Sequence, residues 1–248
     1  MFMDKENIVL NLLVFAEKVG NGASQAEILQ KSAELGFKKV EIRREYFRNI
    51  HQEKHVIKQL ASDLGIELFY SVPDEVFVNG KLNDSLQSYL DEAKEMGVKH
   101  IKWNIGDFQP STSLDELEKL THTDININIE NDQTQTSGTI QAIRQFMEKV
   151  EEEQLPIGYV YDLGNWRFVG ENEDDAAKRL KEYVRYIHVK DVRYQADKPQ
   201  AAKLDDGEID WRTILAQLPQ DVPVAIEYPT TNDLEIKQAK KLLEEWSA

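Results

Sequence analysis

Apolar residues in this chain recur with two periods in turn. AEILQKSAELGFKKVEI, KQLASDLGIELFYS and YLDEAKEMGVKHIKW each carry apolar positions at helical spacing, then a glycine, then a short alternating apolar–polar run. The glycines Gly36, Gly65 and Gly97 fall where a helix should stop. Glycine there accepts the left-handed conformation that turns the chain into the next strand. Helices and strands alternating at this spacing imply right-handed βαβ crossovers and a parallel sheet. Carried along the chain, the pattern predicts strands near 8–14, 39–44, 66–72, 99–105, 124–130, 157–162, 185–190 and 222–228. It predicts helices near 24–35, 52–64, 83–96, 113–120, 138–154, 173–183, 211–217 and 233–246. Equal numbers of strands and helices favour a single (β/α)8 TIM barrel, with 1–248 as one domain, over an open doubly wound sheet. The fourth helix is short, and the polar segment 191–210 after the seventh strand has the length of a lid.

Period-two alternation also sorts each strand into an outer and an inner face. In DININIE, Ile125, Ile127 and Ile129 should pack on the helices, leaving Asn126, Asn128 and Glu130 inside. By the same rule Trp103 belongs to the outer core, while His100, Lys102 and Asn104 face inward. Glu41 and Arg43, His188 and Lys190, and Glu227 join them. A barrel that served structure alone would fill its interior with branched apolar side chains. Polar residues at this density are costly unless they are paired or functional.

Four of these polar residues end predicted strands five to eight: Glu130, Asp162, His188 and Glu227. C-terminal strand ends converge on one mouth of a parallel barrel. Three carboxylates and an imidazole there suit one hard divalent cation, Mn²⁺ first, with Mg²⁺, Co²⁺ or Zn²⁺ as alternatives; a set of strand-end salt bridges is the competing reading. Two glutamates flanking a substrate could also act as an acid/base pair, one removing the proton next to a carbonyl and the other returning it through a metal-stabilised enediolate. Arg43, Lys102, Asn165, Arg167 and Lys190 are candidate substrate contacts. Lys102 and Lys190 could polarise a substrate oxygen or bind a carboxylate, or pair with Glu41 or Glu130. Arg44 reads as a solvated loop residue, and His51, His55 and His122 as surface residues.

Composition narrows the function classes. A net charge of −15 argues against a partner with a phosphate backbone, so no nucleic acid is expected. The chain has no cysteine, which removes disulfides, thiolate metal sites and a cysteine nucleophile, and agrees with a cytoplasmic location. No apolar run reaches the roughly 18–20 residues of a membrane span. The apolar segment 8–16 follows Asp4 and Glu6 and reads as the first strand rather than a signal-peptide core. There is no Gly-rich phosphate loop and no Gly-x-Ser-x-Gly elbow.

With these residues in place the chain resembles the xylose-isomerase-like (β/α)8 barrels, a group of sugar isomerases, epimerases, inosose dehydratases and endonuclease IV. The resemblance spans essentially the whole chain. It implies metal ligands at Glu130 in IEN, Asp162 in YDLGNW, His188 in IHVKD and Glu227 in AIEYP, and GEIDW resembles the group's entry to helix seven. VEIRREYF, YSVPDEVF, IENDQTQTSG, YDLGNWRF and AIEYP together resemble the epimerase-like proteins of bacterial 2-ketogluconate utilisation. The implied activity is isomerisation or epimerisation of a keto-sugar or sugar acid, phosphorylated or not, with self-association compatible. A metal-dependent dehydratase or lyase, or a barrel that binds a sugar acid without catalysis, are the alternatives. One departure stands out: many relatives place a histidine three residues after the sixth-strand aspartate, where this chain has Asn165. An amide orients a hydroxyl but carries no proton at neutral pH, which argues against a second metal and against endonuclease IV chemistry.

Overall fold

The computed structural model describes residues 5–246, in which eight parallel strands close into a barrel. They are β1 (Ile8–Asn11), β2 (Lys39–Arg43), β3 (Glu67–Val78), β4 (His100–Gly106), β5 (Asn126–Glu130), β6 (Ile157–Asp162), β7 (Val184–Val189) and β8 (Val224–Ile226). Each pairs with the next, and β8 pairs with β1. The helices are α1 (Ala16–Gly20), α2 (Gln25–Glu34), α3 (Ile50–Leu64), α4 (Leu86–Met96), α5 (Asp115–Leu120), α6 (Ile140–Glu152), α7 (Asn165–Phe168), α8 (Glu173–Leu180), α9 (Trp211–Leu215) and α10 (Asp233–Trp246).

Local chemistry sets the helix ends. Ser24 closes a capping box with Glu27 at the start of α2, and Thr139 caps α6 through the Ala142 amide. Gly65 and Gly97 end α3 and α4 in the left-handed conformation the sequence pattern called for. The short α5 matches the short fourth helix.

Strand ends depart from the periodicity for identifiable reasons. β1 stops at Asn11 rather than near 14, because the Asn11 side chain accepts the Leu13 amide at 2.8 Å and folds Leu12–Phe15 into a 3₁₀ turn. β8 is confined to Val224–Ile226; Pro223 just before it has no N–H to give a ladder and offers only its carbonyl, to Ile187. β3 runs beyond 72 to Val78, with an irregularity between Ser71 and Glu75, and folds back on Lys81–Leu82. The 191–210 segment is not an open loop: Asp191–Gln195 and Lys198–Ala202 form an antiparallel hairpin. Asp191 anchors its base by accepting the amides of Val192, Gly207 and Ile209.

The core has two compartments. The larger lies between strands and helices and includes Ile127, Ile129 and Trp103, as the outer-face assignment required. The smaller consists of Val9, Phe69, Val160, Tyr186 and Ala225, all buried, and plugs the barrel interior. Above this plug the inward residues are polar. Asn126, expected inside, is exposed at the beginning of β5.

Candidate metal centre

Glu130, Asp162, His188 and Glu227 meet at the C-terminal end of the barrel, each on or next to the end of its own strand. Each offers one ligand-capable atom, and these atoms all lie within 4.8 Å of one another. All four side chains are buried. Asn131, just past β5, joins this strand end to β6. Its Oδ1 accepts the Asp162 amide at 2.8 Å and the Tyr159 hydroxyl at 2.7 Å, and its Nδ2 donates to the Asp162 carbonyl at 3.0 Å. Asp162 Oδ1 accepts the amides of Gly164 and Asn165, which fixes the carboxylate and turns Oδ2 toward the centre. Gly164 is glycine because the stem of Lys190 passes over it: a Cβ there would lie 2.4 Å from Lys190 Cγ.

Cations surround the carboxylates. Lys102 pairs with Glu130. Lys190 Nζ lies 2.7 Å from Asp162 Oδ2 and 3.0 Å from Glu227 Oε2. Arg43 Nη1 donates to Glu227 Oε1 at 3.0 Å and to Asn11 Oδ1 at 3.1 Å, while Asn11 Nδ2 donates to the same glutamate oxygen. His188 Nδ1 faces Glu130 Oε1 at 2.7 Å and Glu227 Oε2 at 3.3 Å, and its Nε2 lies 2.8 Å from Glu41 Oε2.

Burial alone would raise the carboxyl groups, but the neighbours decide otherwise. Lys102 and His188 hold Glu130 below the usual carboxylate range, and Lys190 and His188 hold Glu227 well below it. Asp162 is different: burial, helped by the charges of Glu227 and Glu130, outweighs Lys190 and pushes it up to about 7. Burial disfavours protonated His188, yet Glu41, Glu227 and Glu130 outweigh it and hold the imidazole well above its ordinary value.

A cation fits this donor set. His188 Nδ1, Glu130 Oε1 and Asp162 Oδ2 are buried and make no well-aligned hydrogen bond, and only the close charge contacts Nδ1–Oε1 and Lys190–Oδ2, both at 2.7 Å, hold them. Buried polar atoms are normally paired, and two carboxylate oxygens with one imidazole nitrogen are the donors a hard or borderline divalent ion takes.

The other predicted contacts divide. Arg43, Lys102 and Lys190 line the centre. Asn165 is close by, but both ends of its amide are engaged, donating to the Asn131 carbonyl at 2.8 Å and accepting from Gln133 at 3.0 Å. Arg167 turns away and grips Glu173 through Nε and Nη2, both at 2.6 Å. Arg44 is not simply solvated: it holds Glu92 through two 2.9 Å bonds and lies over the Tyr89 ring. His51, His55 and His122 are exposed. Sequence alone does not mark Asn11, Asn131 or Tyr186 as site residues. Tyr186 lies two positions before His188 and so on the same inward face by period two, whereas the role of Asn131 depends on a contact between strands.

The sequence profile of the xylose isomerase-like TIM barrel family matches residues 29–246. Solved structures agree over nearly the whole chain. A xylose isomerase domain-containing protein from Salmonella typhimurium LT2 superposes with a TM-score of 0.73 at 16% identity, covering 99% of this chain and 98% of that one. A zinc-bound IolI protein gives 0.70 at 13% identity, covering 97% of each chain. D-psicose 3-epimerase from Clostridium cellulolyticum H10, solved with D-tagatose, gives 0.66 at 12% identity, again covering 97% of each. At these identities the likeness is one of fold. No curated protein matches the sequence significantly. Among the described residues no helix is long and apolar enough to cross a membrane.

Proposed function

Because this chain belongs to the xylose isomerase-like TIM barrel family, we propose that it is a divalent-metal-dependent isomerase or epimerase of a keto-sugar or sugar acid. It would act as a single barrel domain, in the cytoplasm, on a small molecule. The observation that carries this reading is the convergence of Glu130, Asp162, His188 and Glu227, whose ligand-capable atoms lie within 4.8 Å of one another. These four residues would hold the ion, Mn²⁺ before Mg²⁺, Co²⁺ or Zn²⁺. A bound divalent ion would polarise the substrate oxygens and so acidify the carbon between them. The zinc in the IolI relative and the sugar in the epimerase relative are in keeping with this.

The chain's own residues supply proton transfer and placement. Glu130 and Glu227 are held ionised by their cationic neighbours, so either can accept a proton from the carbon next to a carbonyl; it can return that proton itself, or the other glutamate can deliver one to the opposite face after taking it from solvent. Arg43, Lys102 and Lys190 would bind substrate oxygens once the carboxylates they now neutralise share charge with the ion. The plug of Val9, Phe69, Val160, Tyr186 and Ala225 closes the interior below and keeps bulk water from that side.

The test is to incubate metal-loaded protein with a panel of keto-sugars and sugar acids in D₂O and follow it by NMR. Deuterium entering next to the carbonyl, with an isomer or epimer formed, is the expected result. Loss of water from the substrate would instead assign a dehydratase; a protein described as a probable 3-DHS dehydratase has a similar fold. A second reading also rests on the structure: Lys102 and Lys190 already pair with the three carboxylates, as they would in a barrel that binds a sugar acid without turning it over. Ligand binding with neither exchange nor product would decide for it.

A further inference from the structure

Glu41 takes no part in the set of ligand-capable atoms, yet it is among the most deeply buried charged residues of the barrel. It sits on β2, and its Oε2 accepts the Tyr186 hydroxyl at 2.5 Å and lies 2.8 Å from His188 Nε2. Its second oxygen has no hydrogen-bond partner. Tyr186 stands edge-on to the His188 ring, with centroids 4.8 Å apart and planes at 88°, and packs against Phe69 at 5.0 Å. The imidazole is thus held from one side by a carboxylate and from its face by a ring.

A buried carboxylate with one oxygen unpaired is destabilising unless it serves another purpose. Here its chemistry dictates a proton position. An ionised carboxylate only accepts, so the nitrogen facing Glu41 must carry the hydrogen. In the neutral ring that nitrogen is Nε2, and the lone pair then sits on Nδ1. Nδ1 is the nitrogen turned toward Glu130 and Glu227. Without an ion Nδ1 also carries a hydrogen, directed at Glu130 Oε1 2.7 Å away, and a metal ion would take the place of that proton while the Nε2 hydrogen stays on Glu41.

We propose that Glu41, steadied by Tyr186, is a positioning residue that fixes His188 in the Nε2–H tautomer and so presents Nδ1 as the metal-binding nitrogen. The assignment rests on the metal reading above and adds to it which nitrogen binds and what holds it there. A carboxylate behind a ligating histidine raises the basicity of the ring and its affinity for the ion, and its removal typically weakens binding about 10–100-fold.

The experiment uses the whole chain, wild type and the variants Glu41→Gln, Glu41→Leu and Tyr186→Phe, with Zn²⁺ as a diamagnetic probe. Affinity is measured by competition with a chromogenic chelator, and the His188 ring nitrogens are followed by long-range ¹H–¹⁵N correlation. Wild type is expected to bind Zn²⁺ through Nδ1 and to show a protonated Nε2. Glu41→Leu should weaken binding by about 10–100-fold and lose the fixed tautomer. Glu41→Gln keeps an acceptor oxygen and should fall between, with the tautomer retained. Tyr186→Phe, which only removes a hydroxyl, should weaken binding several-fold and guards against a misfolded leucine variant. Unchanged affinity in all three variants, or coordination through Nε2, overturns the assignment while leaving the metal reading intact. A wild type that binds no divalent ion overturns both.

Discussion

At the scale of single residues, the two glutamates differ from their neighbours in what they can do when ionised. Glu130 meets Lys102 and His188, while Glu227 meets Lys190, Arg43, Asn11 and His188. If they exchange protons with substrate, an amide should damage chemistry more than binding. Glu130→Gln and Glu227→Gln are expected to lower kcat by about 10²–10⁴-fold. Each single variant should still exchange the substrate proton from its surviving face while failing to invert the centre, measured as deuterium uptake against product, with metal occupancy checked first. A variant that keeps its metal and turns over normally removes that glutamate from the acid/base role. A second prediction belongs to His100, inward on β4 and stacked on Phe69 with ring centroids 4.2 Å apart. Burial, reinforced by Lys39, pulls its pKa from 6.5 down to about 4. The unfolded chain therefore takes up a proton before the folded one does. The corresponding stability is present above about pH 6.5 and is lost as the pH falls toward 4, at most about 3 kcal/mol. In His100→Gln, urea midpoints measured between pH 7 and pH 4.5 should fall less steeply than in wild type, and a parallel fall would refute it.

At the scale of elements, the glycines separate two kinds of constraint. Gly65 ends α3 at φ +63°, and a Cβ there would meet nothing within 4 Å. Gly106 ends β4 at φ +75°, and a Cβ there would lie 2.0 Å from the Phe77 carbonyl oxygen on β3. Gly65→Ala should cost about 1–2 kcal/mol, the left-handed penalty alone. Gly106→Ala should cost clearly more, since two paired strands must move apart. Chemical denaturation of both variants checks the order, and equal costs would refute it. The same contrast shows what the sequence carried. Helix ends at Gly36, Gly65 and Gly97, the Ile125–Ile127–Ile129 face and the inward Glu130 follow from local chemistry and period alone, so they were legible. The early stop of β1 came from one side-chain bond of Asn11, and the extension of β3 from a backbone irregularity. The 191–202 hairpin turns through Ala196 and Asp197, both at positive φ without glycine, so it carried no recognisable turn signal. The four candidate ligands were legible because strand ends converge in any such barrel. The grip of Arg167 on Glu173 was not, because it depends on where α8 lies.

For the whole molecule, charge and metal binding give a bulk test. A ligand that binds only the folded state stabilises it by mass action, by about 2.7 kcal/mol at a hundred times its Kd. For a chain of this size that corresponds to a Tm about 5–10 °C higher with Mn²⁺ than after exhaustive chelation. Coincident melting curves, with no bound ion on elemental analysis, would remove the metal centre. The apolar plug under the polar centre has a different consequence, one of traffic. A barrel stoppered by Val9, Phe69, Val160, Tyr186 and Ala225 leaves the C-terminal mouth as the approach to this centre. If the proposed isomerase or epimerase activity holds, whatever reaches Glu130 and Glu227 must leave by the way it came in, so the next substrate waits until the last product has backed out. Product should therefore inhibit competitively, and a polymer could offer this mouth no more than a loose end.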